Sequence, residues 1–297
     1  MTSEPTYMFC VGATKAGTSW LYRYLAGHPD CHFRTIKELH YFNKAKAQQF
    51  QRAAEALGPE IARLENEPEV GATGVARRKV RKLQDLDEWK TVLDEGEVDL
   101  SAYRSFLTQG RGQKVLVGDV TPAYALLAAD RLKMLCRVGP DVRLVFLMRE
   151  PVARLWSHVR MVALRRAPQA FATEAPALFQ RIIANENTAE ATGIKDRGDY
   201  RTILQKLRRI VDPANLLVMF YEDLMTTRGV ARLADFLGIA RWPGKFSDRA
   251  FGGVTLALPS DLHAAALTFL RPQYDFVARQ YQPLPDAWMT AIEKGFA

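Results

Sequence analysis

The chain reads as an α/β protein: a central parallel sheet flanked by helices, in one domain over residues 1–297, with a helical insertion at about 44–110. Three observations lead there. Short, nearly continuous apolar runs occupy residues 7–11, 114–119, 143–148 and 215–220. Such runs mark strands covered on both faces, as in a parallel sheet. Helical patterns lie between and after them, at 19–26, 125–136, 152–165, 200–211 and 228–237. Alternation of strand and helix is the pattern of parallel α/β architecture. The 48% hydrophobic and 25% charged content of the 297 residues supplies the core this fold needs.

The opening unit is strand, loop, helix. Tyr7 to Val11 runs into a glycine-containing turn, and Trp20, Leu21, Tyr24 and Leu25 then repeat at helical spacing until Gly27-His28-Pro29 stops them. Residues 44–110 change character: they are rich in Ala, Gln, Glu, Lys and Arg and broken by Gly71-Ala72-Thr73-Gly74. Helices on either side of that break form an insertion over the core. It either covers a substrate cleft or is a solvated decoration.

Composition excludes several classes. Cys10, Cys31 and Cys136 are too few and too scattered for a disulfide scaffold or a metal cage, and read as buried free thiols. His28, His32 and His263 have no zinc spacing, and His158 is expected to be structural. The net charge of +8 attracts anions of many kinds. Its basic clusters lack interleaved aromatics and read as solvated helix faces, so no nucleic-acid partner is expected. No window of about 18 apolar residues suggests a transmembrane segment. Met1 to Pro5 has no basic stretch leading into an apolar one, and a cytoplasmic location is the expectation.

The chemistry concentrates at Gly12-Ala13-Thr14-Lys15-Ala16-Gly17-Thr18-Ser19. A glycine turn between a strand and a helix aims backbone N–H groups at an anion, and the helix dipole adds to the attraction. Gly12 and Gly17 have Walker A spacing, but Thr18 stands where that motif has lysine, and the lysine is inside the loop at Lys15. Asp119 at a strand end fits a Walker B acid. A P-loop kinase or NTPase using Mg-ATP and a non-catalytic nucleotide-binding protein therefore stay open on these residues alone.

Four segments together resemble the PAPS-dependent sulfotransferases, closest to the carbohydrate and heparan types in a bacterial-like soluble form. They are Lys15 to Leu21, Lys37-Glu38-Leu39-His40-Tyr41-Phe42, Asp119-Val120-Thr121-Pro122-Ala123-Tyr124, and Arg149 followed eight positions later by Ser157. The resemblance implies a P-loop-NTPase-like fold with PAPS as co-substrate, PAP as product and no metal requirement. It places the 5′-phosphosulfate on Lys15, Ala16, Gly17, Thr18, Ser19 and Trp20, and the 3′-phosphate on Arg149 and Ser157. Glu38 is the implied base, with His40 orienting it or the acceptor. Alternation along an extended stretch puts both on one side. A loop at 246–253, with Arg249, is expected to close over the nucleotide. The acceptor would be a hydroxyl or amine of a small molecule, lipid or carbohydrate. Two departures weaken a sulfated-polysaccharide acceptor: Val120 stands where the heparan type has lysine, and its C-terminal disulfide loop has no counterpart.

Overall fold

A computed structural model describes residues 4–67, 73–96, 100–247 and 255–296. Its sheet has five parallel strands, β1 (Thr6–Gly12), β2 (Cys31–His32), β3 (Leu116–Val120), β4 (Val142–Met148) and β5 (Leu216–Phe220), in the order β2-β3-β1-β4-β5. Four of them are the apolar runs of the sequence. The fifth, β2, is two residues long, too short to produce a hydrophobic pattern.

Connecting elements are α1 (Thr18–Ala26), α2 (Ala47–Glu55), α3 (Gly58–Asn66), α4 (Thr73–Glu95), α5 (Ser101–Thr108) and α6 (Ala129–Leu135). They continue with α7 (Pro151–Arg166), α8 (Phe171–Ile183), α9 (Ala189–Asp196), α10 (Tyr200–Ile210), α11 (Tyr221–Leu224), α12 (Thr227–Leu237), α13 (Ser260–Gln280) and α14 (Asp286–Phe296). Where one helix is expected over 125–136, a 3₁₀ turn at Pro122–Leu126 precedes α6, and Ala128 between them is extended. That break carries the Tyr124 hydroxyl to Asp119.

The topology determines where a ligand can sit. β1 lies between β3 and β4 with Cys10 level with Val120 and Gly12 level with Phe146. The chain leaving β1 at residue 13, β3 at 121 and β4 at 149 therefore emerges along one edge of the sheet. In open parallel sheets, ligands bind beyond that carboxyl edge, where the strand order reverses.

The 44–110 region is part of the core, which overturns the decoration reading. Phe50, Trp89, Tyr103 and Phe106 are buried. They join Tyr41 and Phe42 in one aromatic cluster, in which Tyr41 stacks on Tyr103 at 4.5 Å. Each such ring buried contributes roughly 1.5–3 kcal/mol. The helices α13 and α14, which the sequence patterns do not mark, close the other flank through Tyr274 and Trp288, both fully buried. Among the described residues no helix is long and apolar enough to cross a membrane.

Candidate active site

The β1–α1 loop is shaped by two left-handed residues, Lys15 (φ 70°) and Gly17 (φ 92°). Gly17 has to be glycine for space as well: a Cβ there would lie 2.4 Å from the Tyr221 ring. No side chain caps α1. The first N–H groups of a helix lack intrahelical partners and need an acceptor from elsewhere. Here they face the same edge as Lys15.

Lys15 is half-buried, with Nζ 3.7 Å from Met161 Sδ on α7. Burial lowers its pKa, and so do Arg149, Arg165, Arg160 and Lys37, all cations. Arg149 leans over the loop, its Nη1 donating to the Lys15 carbonyl at 3.4 Å and its guanidinium 5.3 Å from the Tyr221 ring centroid. Its backbone is held by Tyr200, whose hydroxyl donates to the Arg149 carbonyl at 2.6 Å and accepts from its N–H at 3.1 Å. Glu150 then caps α7, accepting from Val152 N (3.1 Å) and Ala153 N (2.7 Å) while Tyr274 donates to it. Glu222 receives the Glu150 N–H at 3.1 Å. Arg149 is thus presented by a buried framework drawn from α7, α10, α11 and α13. Ser157 sits half-buried in the second turn of α7.

Trp20 is buried, not an open platform. It stacks on Tyr24 (5.3 Å, 7°) and on Phe246 (5.9 Å, 15°), and its Nε1 donates to the Lys245 carbonyl at 3.1 Å. Arg249 lies outside the described residues, and so does most of the 246–253 loop. Phe246 is the near end of that loop, already against Trp20.

The 37–44 segment faces the same edge but is not extended. Glu38 (φ 67°) and His40 (φ 54°) are both left-handed. They end up together because the chain turns twice, with His40 Nε2 3.6 Å from Glu38 Oε2, and not because side chains alternate. Lys37 pairs with the other Glu38 oxygen. Burial pushes Glu38 up, but the His40 hydrogen bond and the Lys37 charge outweigh it and hold the carboxyl at about 2. The same bond raises His40. His40 Nδ1 also meets Asn43 Oδ1 at 3.0 Å.

Left-handed non-glycine residues are strained, and surrounding structure must impose them. Two buried opposite charges do so here. Asp119 Oδ1 accepts the Leu39 N–H at 3.5 Å, and Lys44 Nζ donates to the carbonyls of His40 (2.7 Å) and Leu39 (3.4 Å). Burial lowers Lys44 to about 8, with Asp119 opposing the shift. Asp119 is otherwise saturated, by Thr121 Oγ1 (2.7 Å), Tyr124 (2.8 Å) and Tyr103 (3.1 Å). A Walker B acid keeps an oxygen for a metal ion or its water, and Asp119 has none to spare. Lys44 is the residue sequence reasoning missed. Its only signal is a lysine set just after two aromatics.

His158 is buried on α7, and burial and Arg154 push it down to about 3.

A glycine loop carrying a lysine, an arginine beyond the neighbouring strand and a carboxylate–imidazole pair on the third loop thus share one edge of a P-loop-NTPase-like sheet. The model of the sulfotransferase family matches residues 8–244. The chain belongs to that family and is a transferase of sulfuryl groups. Its fold is similar to a sulfotransferase from Alicyclobacillus acidocaldarius, at 20% identity and TM-score 0.61, covering 97% of this chain and 99% of that one. It is also similar to the sulfotransferase domain of the Synechococcus PCC 7002 olefin synthase (18%, TM-score 0.51, 98% and 95% covered). The sulfotransferase domain of the curacin biosynthetic pathway is similar at 15% identity and TM-score 0.52, with 98% of each chain covered. No curated protein matches the chain.

Proposed function

We propose that the chain moves a sulfuryl group from PAPS to a hydroxyl or amine of a small-molecule, lipid or carbohydrate acceptor and releases PAP, as one domain spanning residues 1–297. The observation that carries this is the charge around Lys15: burial and four neighbouring cations all act against its ammonium, beside a helix start that no side chain caps. Such a site is incomplete without a multiply charged anion. PAPS has two anionic ends, and Lys15 and Arg149 provide two cationic points on adjacent loops.

In this reading the donor supplies an S–O bond whose phosphate oxygen gains negative charge as it breaks. Lys15 and the N–H groups of residues 16–19 are placed to stabilise that charge more in the transition state than before it. Arg149, with Ser157, holds the 3′-phosphate through a fork of donors. Trp20 backs the phosphate loop, and Arg249 and its loop close over the nucleotide. Glu38 takes the acceptor proton as sulfur is attacked, and His40 fixes its direction. Entry of the donor and acceptor draws Lys37 away from Glu38 and so raises a carboxyl that is a poor base in the free protein. These residues supply the compensating charge, so no metal is required.

Mg-ATP chemistry is disfavoured by Thr18 in place of the Walker lysine and by the saturated Asp119. Thermal stabilisation by PAP, and by ADP and ATP with and without Mg²⁺, separates the readings. PAP is expected to stabilise most, with PAPS turnover present in wild type and lost in Glu38→Gln. Stabilisation by Mg-ATP and not by PAP sinks the proposal. PAP binding without any PAPS turnover favours a non-catalytic role.

A further inference from the structure

A second basic recess lies away from Lys15. A cavity of about 560 Å³ opens between the first half of α4, the edge strand β2 and the turn at 109–114. None of its lining residues belongs to the site described above. His32 in its wall is level with Val117 near the start of β3, whereas Lys15 lies beyond the far end of β1.

The charge in this recess is one-sided. Its only lining carboxylate, Asp85, is already bound by Arg34 Nε (2.9 Å), Thr35 N (2.5 Å) and Thr35 Oγ1 (2.6 Å). Arg34 is in turn held by Asp85 and Glu88. What remains is Arg77, Arg81 and Lys114. Arg77 has no carboxylate partner among the described residues. Among the described residues, the Arg81 and Lys114 side chains donate to carbonyls, those of Phe33 (3.4 Å) and Cys31 (2.7 Å), and to no carboxylate.

His32 is the second, independent observation. It is 5% exposed, and its Nε2 is buried with no hydrogen-bond partner among the described residues. A buried polar atom left unpaired is destabilising unless something completes it. Burial, then Arg81 and Arg34, push its pKa down to about 4. An incoming anion offsets those cations. Gly110, at φ 76°, brings the turn against the ring, with an ideal Cβ 3.8 Å from His32 Cε1. Ala76 and Val80 supply an apolar wall, and Val80 is 59% exposed.

We propose that this recess binds a phosphate or sulfate group, as the free ion or as the end of an ester, between Arg77, Arg81 and Lys114 with His32 at its base. The proposal does not depend on sulfuryl transfer at Lys15.

The test follows the His32 imidazole by ¹H–¹⁵N NMR, which is tractable because the chain has five histidines; His32→Asn assigns the signal. Inorganic phosphate, inorganic sulfate and phenyl phosphate are titrated into Lys15→Ala/Arg149→Ala protein, in which the first anion site is disabled. A saturable shift of the His32 signal is expected, weakened about tenfold or more in Arg77→Ala/Arg81→Ala, as loss of charge-assisted hydrogen bonds requires. Tighter binding of phenyl phosphate than of either ion identifies an ester as the occupant, and equal binding identifies the free ion. If the Lys15→Ala/Arg149→Ala protein lacks a native spectrum, wild type against Arg77→Ala/Arg81→Ala gives the same answer, because His32 reports its own recess. A His32 signal unmoved by all three probes, or a shift that persists unchanged in Arg77→Ala/Arg81→Ala, overturns the proposal.

Discussion

The loop at 13–19 and the loop at 37–44 face the same edge of the sheet on opposite electrostatic plans. The first gathers Lys15 and Arg149, neither in an ion-pair contact among the described residues: burial and four cations depress Lys15, and no side-chain cap opens α1 there. The second is closed on itself. Asp119 takes the Leu39 N–H, Lys44 takes the Leu39 and His40 carbonyls, and Glu38 lies between Lys37 and His40. Both loops contain left-handed residues: in the first the Ala16 N–H closes a turn on the Ala13 carbonyl and Arg149 reaches the Lys15 carbonyl, whereas in the second two buried side chains of opposite charge hold the turns. A loop left electrostatically incomplete is built for a charged ligand. A loop whose polar groups are satisfied is built to hold two side chains in place.

The largest expected effect breaks the first half of this comparison. Lys15→Met should lower PAPS turnover by about a hundredfold to a thousandfold, the usual cost of removing one donor to a developing oxyanion. The same variant should raise the melting temperature of the ligand-free protein, because it removes a charge that burial and its neighbours oppose. Reduced turnover together with a lowered melting temperature would mean that the loop is not anion-starved. Next in size, Glu38→Gln should reduce turnover by about a hundredfold or more while leaving PAP affinity within about twofold, since a base acts on the acceptor and not on the nucleotide. Calorimetry with PAP beside a turnover assay checks both parts.

Lys44→Met sharpens the second half. Two buried carbonyls lose their donor, at a cost of about 1–3 kcal/mol in unfolding free energy. His40, freed from its fixed approach to Glu38, should titrate closer to an ordinary histidine in NMR. Destabilisation with an unchanged His40 titration would reduce Lys44 to a packing residue. The smallest effect is in acid. Glu38 is held at about 2 in the folded chain, below its ordinary value of 4.5. Its contribution to stability is therefore present above about pH 4.5 and is lost as the pH falls toward 2. Glu38→Gln should show a shallower loss of stability over that window in chemical denaturation, with a modest difference because the side chain is 40% exposed.

Much of the Lys15 loop and its arginine was legible. Lys15 and Gly17 follow an apolar strand and precede a helix, and Arg149 follows another strand, so local sequence locates them. The 37–44 segment was legible as a motif but not as a conformation. Glu38-Leu39-His40 predicts alternation, and the chain instead makes two left-handed turns. Trp20 was legible as a neighbour of the loop, but not its stacking on Phe246, which lies 226 residues on in the chain. The packing of the 44–110 region was not legible, because Phe50, Trp89, Tyr103 and Phe106 are spread thinly among polar residues. Only packing reveals that they share one cluster with Tyr41.

What the sequence by itself determined is the order of strand, phosphate loop and helix, the parallel sheet and the residue types offered at its carboxyl edge. These rest on local patterns: apolar runs, a glycine turn, a proline opening a helix. What only the tertiary structure decided is which charges meet. Asp119 and Lys44 are 75 positions apart, and Arg149 reaches Lys15 from 134 positions away. Hydrophobic spacing carries no information about such pairs. They are set by strand order, by burial and by the need of each buried polar group for a partner, and these follow only once the sheet has formed.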